Sequence, residues 1–112
     1  VRFRLVALAT VSLLLSLPAG ASRPLVSSTI MAKVVKVAQC ETHGKWNSRG
    51  PVYQGGLGWL HSTWLDYRAP SFPLDMSNAT PQQQAWAMDR FVSQTLHYWP
   101  HQNYPMTCGG GY

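Results

Sequence analysis

The stretch Ala38-Gln39-Cys40-Glu41-Thr42-His43-Gly44-Lys45-Trp46 decides how the rest of the chain is read. It closes an amphipathic helix. Upstream of it Ile30, Met31, Val34, Val35, Val37 and Ala38 recur at helical spacing, while Lys33, Lys36 and Gln39 take the other face, so the pattern predicts a helix over residues 30–41. Gly44 supplies the stop just beyond the last turn. Cys40 and Glu41 therefore lie in that last turn, and Glu41 is the only Glu of the chain. The unpaired carbonyls of a helix end disfavour a negative charge, and nearby aromatic rings would desolvate it. Both effects favour the protonated carboxyl that a general acid requires. The plainer alternative, an ordinary exposed Glu at a helix end, stays open on these grounds.

Upstream of the helix the chain changes character. Arg2 and Arg4 precede an uncharged run from Leu5 to Leu17, and Pro18-Ala19-Gly20-Ala21 follows with the small residues that signal peptidase accepts. Residues 1–21 read as a secretory signal peptide. The apolar run of 13 residues falls short of the roughly 20 that span a bilayer, so a retained anchor is the weaker alternative. Residues 22–28, with Pro24, read as a flexible leader, and residues 29–112 as one domain, expected to be secreted or cell-wall associated, monomeric, and free of the membrane once the signal is cleaved. Losing Arg2 and Arg4 takes the formal charge from +5 to +3. Without a Lys/Arg-rich run, nucleic acid is a poor partner, whereas a mildly cationic surface suits work among anionic wall polymers.

In the oxidising space outside the membrane the only two cysteines, Cys40 and Cys108, are expected to pair; free thiols or an intermolecular bridge are the alternatives. A bridge closing a loop of this length would destabilise the unfolded chain by about 4 kcal/mol in the loop-entropy description. Neither cysteine has ligand-spaced partners for a metal, and nothing in the sequence implies a cofactor.

Downstream, residues 47–58 combine Asn47, Ser48, Gly50, Pro51 and Gly55-Gly56 with Val52 and Tyr53, which supports a short two-stranded ribbon at most. Ser62 is placed to cap a short helix through Trp64, Leu65 and Tyr67 that ends before Pro70. Residues 69–78, with Pro70 and Pro73, read as an irregular connection. Thr80-Pro81-Gln82-Gln83 is a capping box, with Thr80 as N-cap, Pro81 at the first helical position and Gln83 reaching back to the cap's backbone N–H. Ala85, Met88, Val92 and Leu96, with Trp86 and Phe91, form the apolar face of that helix, and Pro100 closes it. The sequon Asn78-Ala79-Thr80 is read as unmodified. Trp46, Trp64 and Trp86 suit either stacking on sugar or filling a small core.

Besides Glu41 the acidic residues are Asp66, Asp75 and Asp89. Asp66 and Asp89 sit beside Arg68 and Arg90 on helices and read as solvated faces; Asp75 reads as a loop residue. His43 and His61 have no carboxylate near them in sequence, and no G-x-S-x-G occurs, so a Ser/His/Asp hydrolase finds no support.

The run from Ala38 to Trp46 resembles the A-x-C-E-S-G-G-N-W pattern of the resuscitation-promoting factors, secreted cell-wall lytic enzymes of actinobacteria with a small lysozyme-like domain. The likeness continues at Tyr53-Gln54-Gly55-Gly56-Leu57, at Thr63-Trp64, at Ala79-Thr80-Pro81-Gln82-Gln83-Gln84 and at Cys108. It implies an α+β, mainly α fold: a small lysozyme-like domain with a short β-ribbon and one Cys40–Cys108 disulfide. It also implies Glu41 as the catalytic acid, with peptidoglycan glycan strands as the partner and the MurNAc-GlcNAc β-1,4 bond as the bond cut. Tyr53, Trp59 and Thr63 are the expected substrate-binding residues. Where the family has Gln-Phe after Gly-Gly-Leu this chain has Gly58-Trp59, which removes an amide from the expected cleft and offers an indole. Thr42-His43 stands for the family's Ser-Gly, and Lys45 for its Asn. A non-catalytic wall-binding or signalling module on the same fold is the competing reading, and a small cationic toxin or inhibitor a third.

Overall fold

The computed structural model describes residues 23–95, together with Thr10. Apart from Thr10, the expected signal segment lies outside the described residues, as do Leu96, Pro100 and Cys108, and with Cys108 the expected disulfide.

Helix α1 spans Ser28–Thr42, two residues earlier than the apolar pattern predicts. The reason is a polar cap: Ser27 Oγ accepts the Ile30 N–H at 3.2 Å, before the apolar periodicity begins. Its other end turns at His43, which takes a left-handed conformation with φ 55°. The His43 N–H then reaches Gln39 O at 3.1 Å and the Gly44 N–H reaches Ala38 O at 3.0 Å, which folds the chain back on the last turn and satisfies the Gln39 carbonyl that the helix would leave unpaired. Gly44 is left-handed too, at φ 77°. The stop is thus made by two residues, of which the sequence flagged one.

A two-stranded antiparallel ribbon follows, β1 Tyr53–Gln54 and β2 Trp59–Leu60, with Tyr53 opposite Leu60 and Gln54 opposite Trp59. Strand β2 runs straight into α2, His61–Tyr67. Here one expectation is corrected: Leu60 is the N-cap, no side chain caps the helix, and Ser62 lies inside the first turn. The strand occupies the place where a capping residue would stand.

The stretch after α2 has more order than an irregular connection. Arg68 Nη1 donates to the carbonyls of Ala69, Pro70 and Phe72 at 3.3, 3.2 and 3.0 Å, and Trp64 Nε1 donates to Pro73 O at 2.9 Å. A 3₁₀ turn, Met76–Asn78, is capped by Asp75, whose Oδ1 accepts both the Ser77 N–H and the Ser77 hydroxyl. Helix α3 occupies Pro81–Thr95 and starts as its capping box predicts: Thr80 N–H to Gln83 Oε1 at 3.0 Å and Gln83 N–H to Thr80 Oγ1 at 3.1 Å.

The described residues are therefore mainly helical, with one small antiparallel ribbon among them. The core lies between α1 and α3, where Val34, Val37 and Ala38 meet Ala85 and Met88, with Trp64, Leu57 and Met76 closing the sides. Trp64 is fully buried, and Trp46 and Trp86 are half-buried against this core, so all three fill the interior. No helix among the described residues is long and apolar enough to cross a membrane.

Candidate active site

The site is built on the turn that joins the two strands. Gly55, Gly56 and Leu57 are buried, and the chain can pass there only because residues 55 and 56 carry no side chain. A Cβ on Gly55, at φ 73°, would stand 2.6 Å from Met76 Cγ and 2.9 Å from Gln84 Oε1; one on Gly56 would stand 2.6 Å from the Trp46 ring. The turn is thereby pressed between the end of α1 and the start of α3. Thr42 Oγ1, the residue after Glu41, lies 2.8 Å from Gly56 O. Gln84 Oε1 accepts the Gly56 N–H at 2.9 Å, while its Nε2 faces the carbonyls of Trp46, Met76 and Ala79 at 2.9, 3.1 and 3.1 Å.

This packing brings Gly58 to Glu41. Gly58 is left-handed, φ 63°, and a Cβ on it would meet Glu41 Oε2 at 3.8 Å and no other heavy atom within contact range. Residue 58 thus leaves an opening beside the carboxylate. Two lobes of one cleft meet at that point, and both are lined by Glu41, Tyr53 and Gly58. The larger, about 510 Å³, continues along Thr42, Ser48 and the Gly50–Val52 backbone. The smaller, about 280 Å³, is walled by Val37, Leu57, Trp59, Thr63, Met88 and Phe91.

Glu41, Tyr53, Trp59 and Thr63, which are far apart in sequence, are brought together in the smaller lobe. Their settings differ. Tyr53 is 58 % exposed, and no other Phe, Tyr or Trp among the described residues is exposed. Trp59 is half-buried, edge-on to Phe91 with centroids 5.4 Å apart and to Tyr67 at 6.3 Å. That engagement holds the indole as a wall of the cleft. Glu41 itself is exposed rather than enclosed by aromatic rings, and Gly58 faces its carboxylate.

All four acidic side chains of the chain fall within the described residues, and Glu41 alone lines the cleft. Asp66 is exposed on α2. Asp75 serves its own turn: the Ser77 hydroxyl, then the Ser77 N–H, and at longer range the charges of Arg49 and His61 hold its carboxyl below the ordinary 3.8 against the opposing effect of partial burial. His61 faces Gln54, with Nδ1 and Oε1 3.3 Å apart, and Arg49 donates to Asn78 Oδ1 at 2.6 Å. Among the described residues no group of His, Cys, Asp and Glu is placed to hold a metal.

Thr42 and Gln84 enter the sequence analysis only as part of the family pattern, with no role of their own. A signal existed for Gln84: it stands four residues before Met88, on the apolar face of α3, and is fully buried. A Gln on that face needs partners for its whole amide.

The transglycosylase-like domain profile matches residues 29–102. The chain belongs to the transglycosylase-like domain family. Within it, this domain is 34% identical over 87 residues to resuscitation-promoting factor Rpf2 of Corynebacterium glutamicum, which covers 74% of this chain and 23% of that protein. It is 36% identical over 67 residues to resuscitation-promoting factor Rpf1 of the same organism, which covers 58% of this chain and 35% of that protein. The chain thus spans about a quarter to a third of the length of these curated relatives. No solved structure matches it. The matched span of the transglycosylase-like domain contains α1 from its second residue, the ribbon, α2 and α3, and therefore every residue that lines the cleft.

Proposed function

We propose that the protein cleaves peptidoglycan at the MurNAc-GlcNAc β-1,4 bond with Glu41 as its single catalytic carboxyl, in a lysozyme-like domain. One observation carries this reading: in a transglycosylase-like domain, Glu41 stands where the two lobes of the cleft join, and no other acidic side chain lines either lobe. A glycan laid along the cleft would cross the carboxyl at a glycosidic bond. Tyr53, exposed at the cleft, suits stacking against a sugar ring. Trp59 and Thr63 would contact the sugar in the smaller lobe.

In this reaction Glu41 donates its proton to the glycosidic oxygen as the C1–O4 bond breaks through an oxocarbenium-like state. A hydrolase of the common kinds then calls on a second carboxylate. Here Asp66, Asp75 and Asp89 line neither lobe, which favours the lytic route. The Glu41 carboxylate takes the proton of the muramyl 6-hydroxyl as O6 bonds to C1, closing a 1,6-anhydro ring. The protein acts outside the membrane, after removal of residues 1–21, as a monomer with a Cys40–Cys108 bridge.

Purified chain incubated with peptidoglycan tests this. The expected products are muropeptides with an anhydro end, lighter by one water than hydrolysed ones, and Glu41→Gln should lower their release by at least about 100-fold. Release that Glu41→Gln leaves undiminished would overturn the reading. A non-catalytic wall-binding module is the second reading, favoured by Gly58, which places no side chain beside the acid. It predicts binding to peptidoglycan with no muropeptide released by the wild type.

A further inference from the structure

The Gly56 peptide has an unusual pair of partners. Its carbonyl accepts from Thr42, on the turn of α1 that carries Glu41, and its N–H donates to Gln84, on α3. Thr42 is half-buried and Gln84 fully buried. A threonine hydroxyl has one proton to give, and three carbonyl oxygens surround it: Gly56 at 2.8 Å, Ala38 at 3.2 Å and Lys45 at 3.5 Å. The shortest of these takes the bond. A hydroxyl in a helix ordinarily bonds back to the carbonyl one turn earlier, here Ala38. Thr42 instead spends its proton across the fold, on the turn that leads to Gly58.

Gln84 is fixed in one orientation by the same accounting. Turned over, its amide would set an oxygen against three carbonyls and an NH₂ against the Gly56 N–H. The Gly56 peptide is therefore held from both sides, by groups anchored on the two longest helices. Two residues further on, Gly58 faces the Glu41 carboxylate: a Cβ on it would stand 3.8 Å from Glu41 Oε2. An exposed carboxylate at a helix end has few constraints of its own, so its distance from the opposite wall of the cleft is set through this peptide.

We propose that Thr42 and Gln84 are positioning residues for Glu41, acting through the Gly56 peptide they hold between them; this rests on the peptidoglycan-cleaving reading above. Thr42 sets the gap between the acid and the turn, and Gln84 holds the turn against α3. A glycan laid along the cleft past Glu41 and Gly58 meets a carboxyl held in a fixed place against the turn, so the proton is delivered at hydrogen-bond range from the glycosidic oxygen.

The experiment compares the wild-type chain with Thr42→Val, which keeps the shape and removes the hydroxyl, with Thr42→Ala as a second hydroxyl-free variant and with Thr42→Ser, which restores the donor. Turnover on peptidoglycan and the carbon resonance of the Glu41 carboxyl are both read, together with the Gly58 amide resonance. The two hydroxyl-free variants should lose about tenfold in kcat with KM within about twofold, and both resonances should move. Thr42→Ser should return kcat, KM and both resonances to near wild-type values. Gln84→Met should move the Gly58 resonance and speed hydrogen exchange at the Gly56 amide, whereas Thr42→Val should leave that exchange slow. The proposal is overturned if folded Thr42→Val keeps wild-type kcat, if Thr42→Ser loses as much as Thr42→Val, or if both hydroxyl-free variants fail to fold while Thr42→Ser folds. Should the wild type release no muropeptide, the enzyme reading fails, and the resonances alone decide the positioning role: unmoved in Thr42→Val, they overturn it.

Discussion

The start of α3 and the turn between the strands meet at Gln84, yet they are held by opposite means. At Thr80–Gln83 two side chains bond to backbone N–H groups three residues away, so the cap forms from local chemistry alone. At Gly56 the partners are 14 and 28 residues distant, and both bonds exist only once α1 and α3 have packed. The first region can be altered at modest cost, because losing a cap leaves donors that water can reach. The second cannot, because Gln84 is buried, Thr42 half-buried, and the neighbours of the turn leave no room.

The largest expected effect breaks the turn. Gly55→Ala forces a Cβ to 2.6 Å from Met76 Cγ at a left-handed φ of 73°. Overpacking of about 1–3 kcal/mol and a left-handed cost of about 1–2 kcal/mol together predict a loss of about 3 kcal/mol in denaturant unfolding. Thr80→Ala, on the local side, should cost about 1 kcal/mol and leave peptidoglycan turnover unchanged. If Thr80→Ala proves the more damaging of the two, the contrast between the regions is wrong.

Smaller effects sharpen the same contrast at the other helix ends. His43 carries a side chain in a left-handed cap where glycine is at ease. His43→Gly should therefore raise stability, by about 0.5 kcal/mol once the added freedom of the unfolded chain is subtracted. Asp75 gives the smallest effect, and one that depends on pH. Its carboxyl is held below the ordinary 3.8 in the folded chain, so its contribution is fully present above that value and is lost as pH falls below it through the folded value. The group is partly exposed, so the contribution is roughly a few tenths of a kcal/mol. Asp75→Asn should be less stable than wild type by that amount at neutral pH, and the two unfolding curves should converge below the ordinary carboxylate range.

Much of the helical frame was legible in the sequence. The apolar periodicity of α1 and the capping box of α3 are patterns of three and four residues, and helices are made by bonds of that reach. What escaped was of two kinds. Ser27 and Asp75 act as caps next to segments with no apolar periodicity to announce them, so the start of α1 was placed late and the 3₁₀ turn was missed. Gln84 was hidden differently: its neighbours Thr80 and Gln83 explained themselves locally, whereas its four contacts come from Trp46, Gly56, Met76 and Ala79.

The sequence by itself determined where the helices lie, which residue is the only Glu, and that it closes α1 beside a glycine stop. These follow from side-chain chemistry within a turn or two. Only the tertiary structure decided that Glu41 stands exposed at the junction of two lobes, that Trp59 is locked edge-on into the wall, and that a buried amide and a hydroxyl hold the Gly56 peptide between them. Those outcomes depend on how closely α1 and α3 approach across the glycine turn, and that distance is set by packing among residues that have no local signature in the chain.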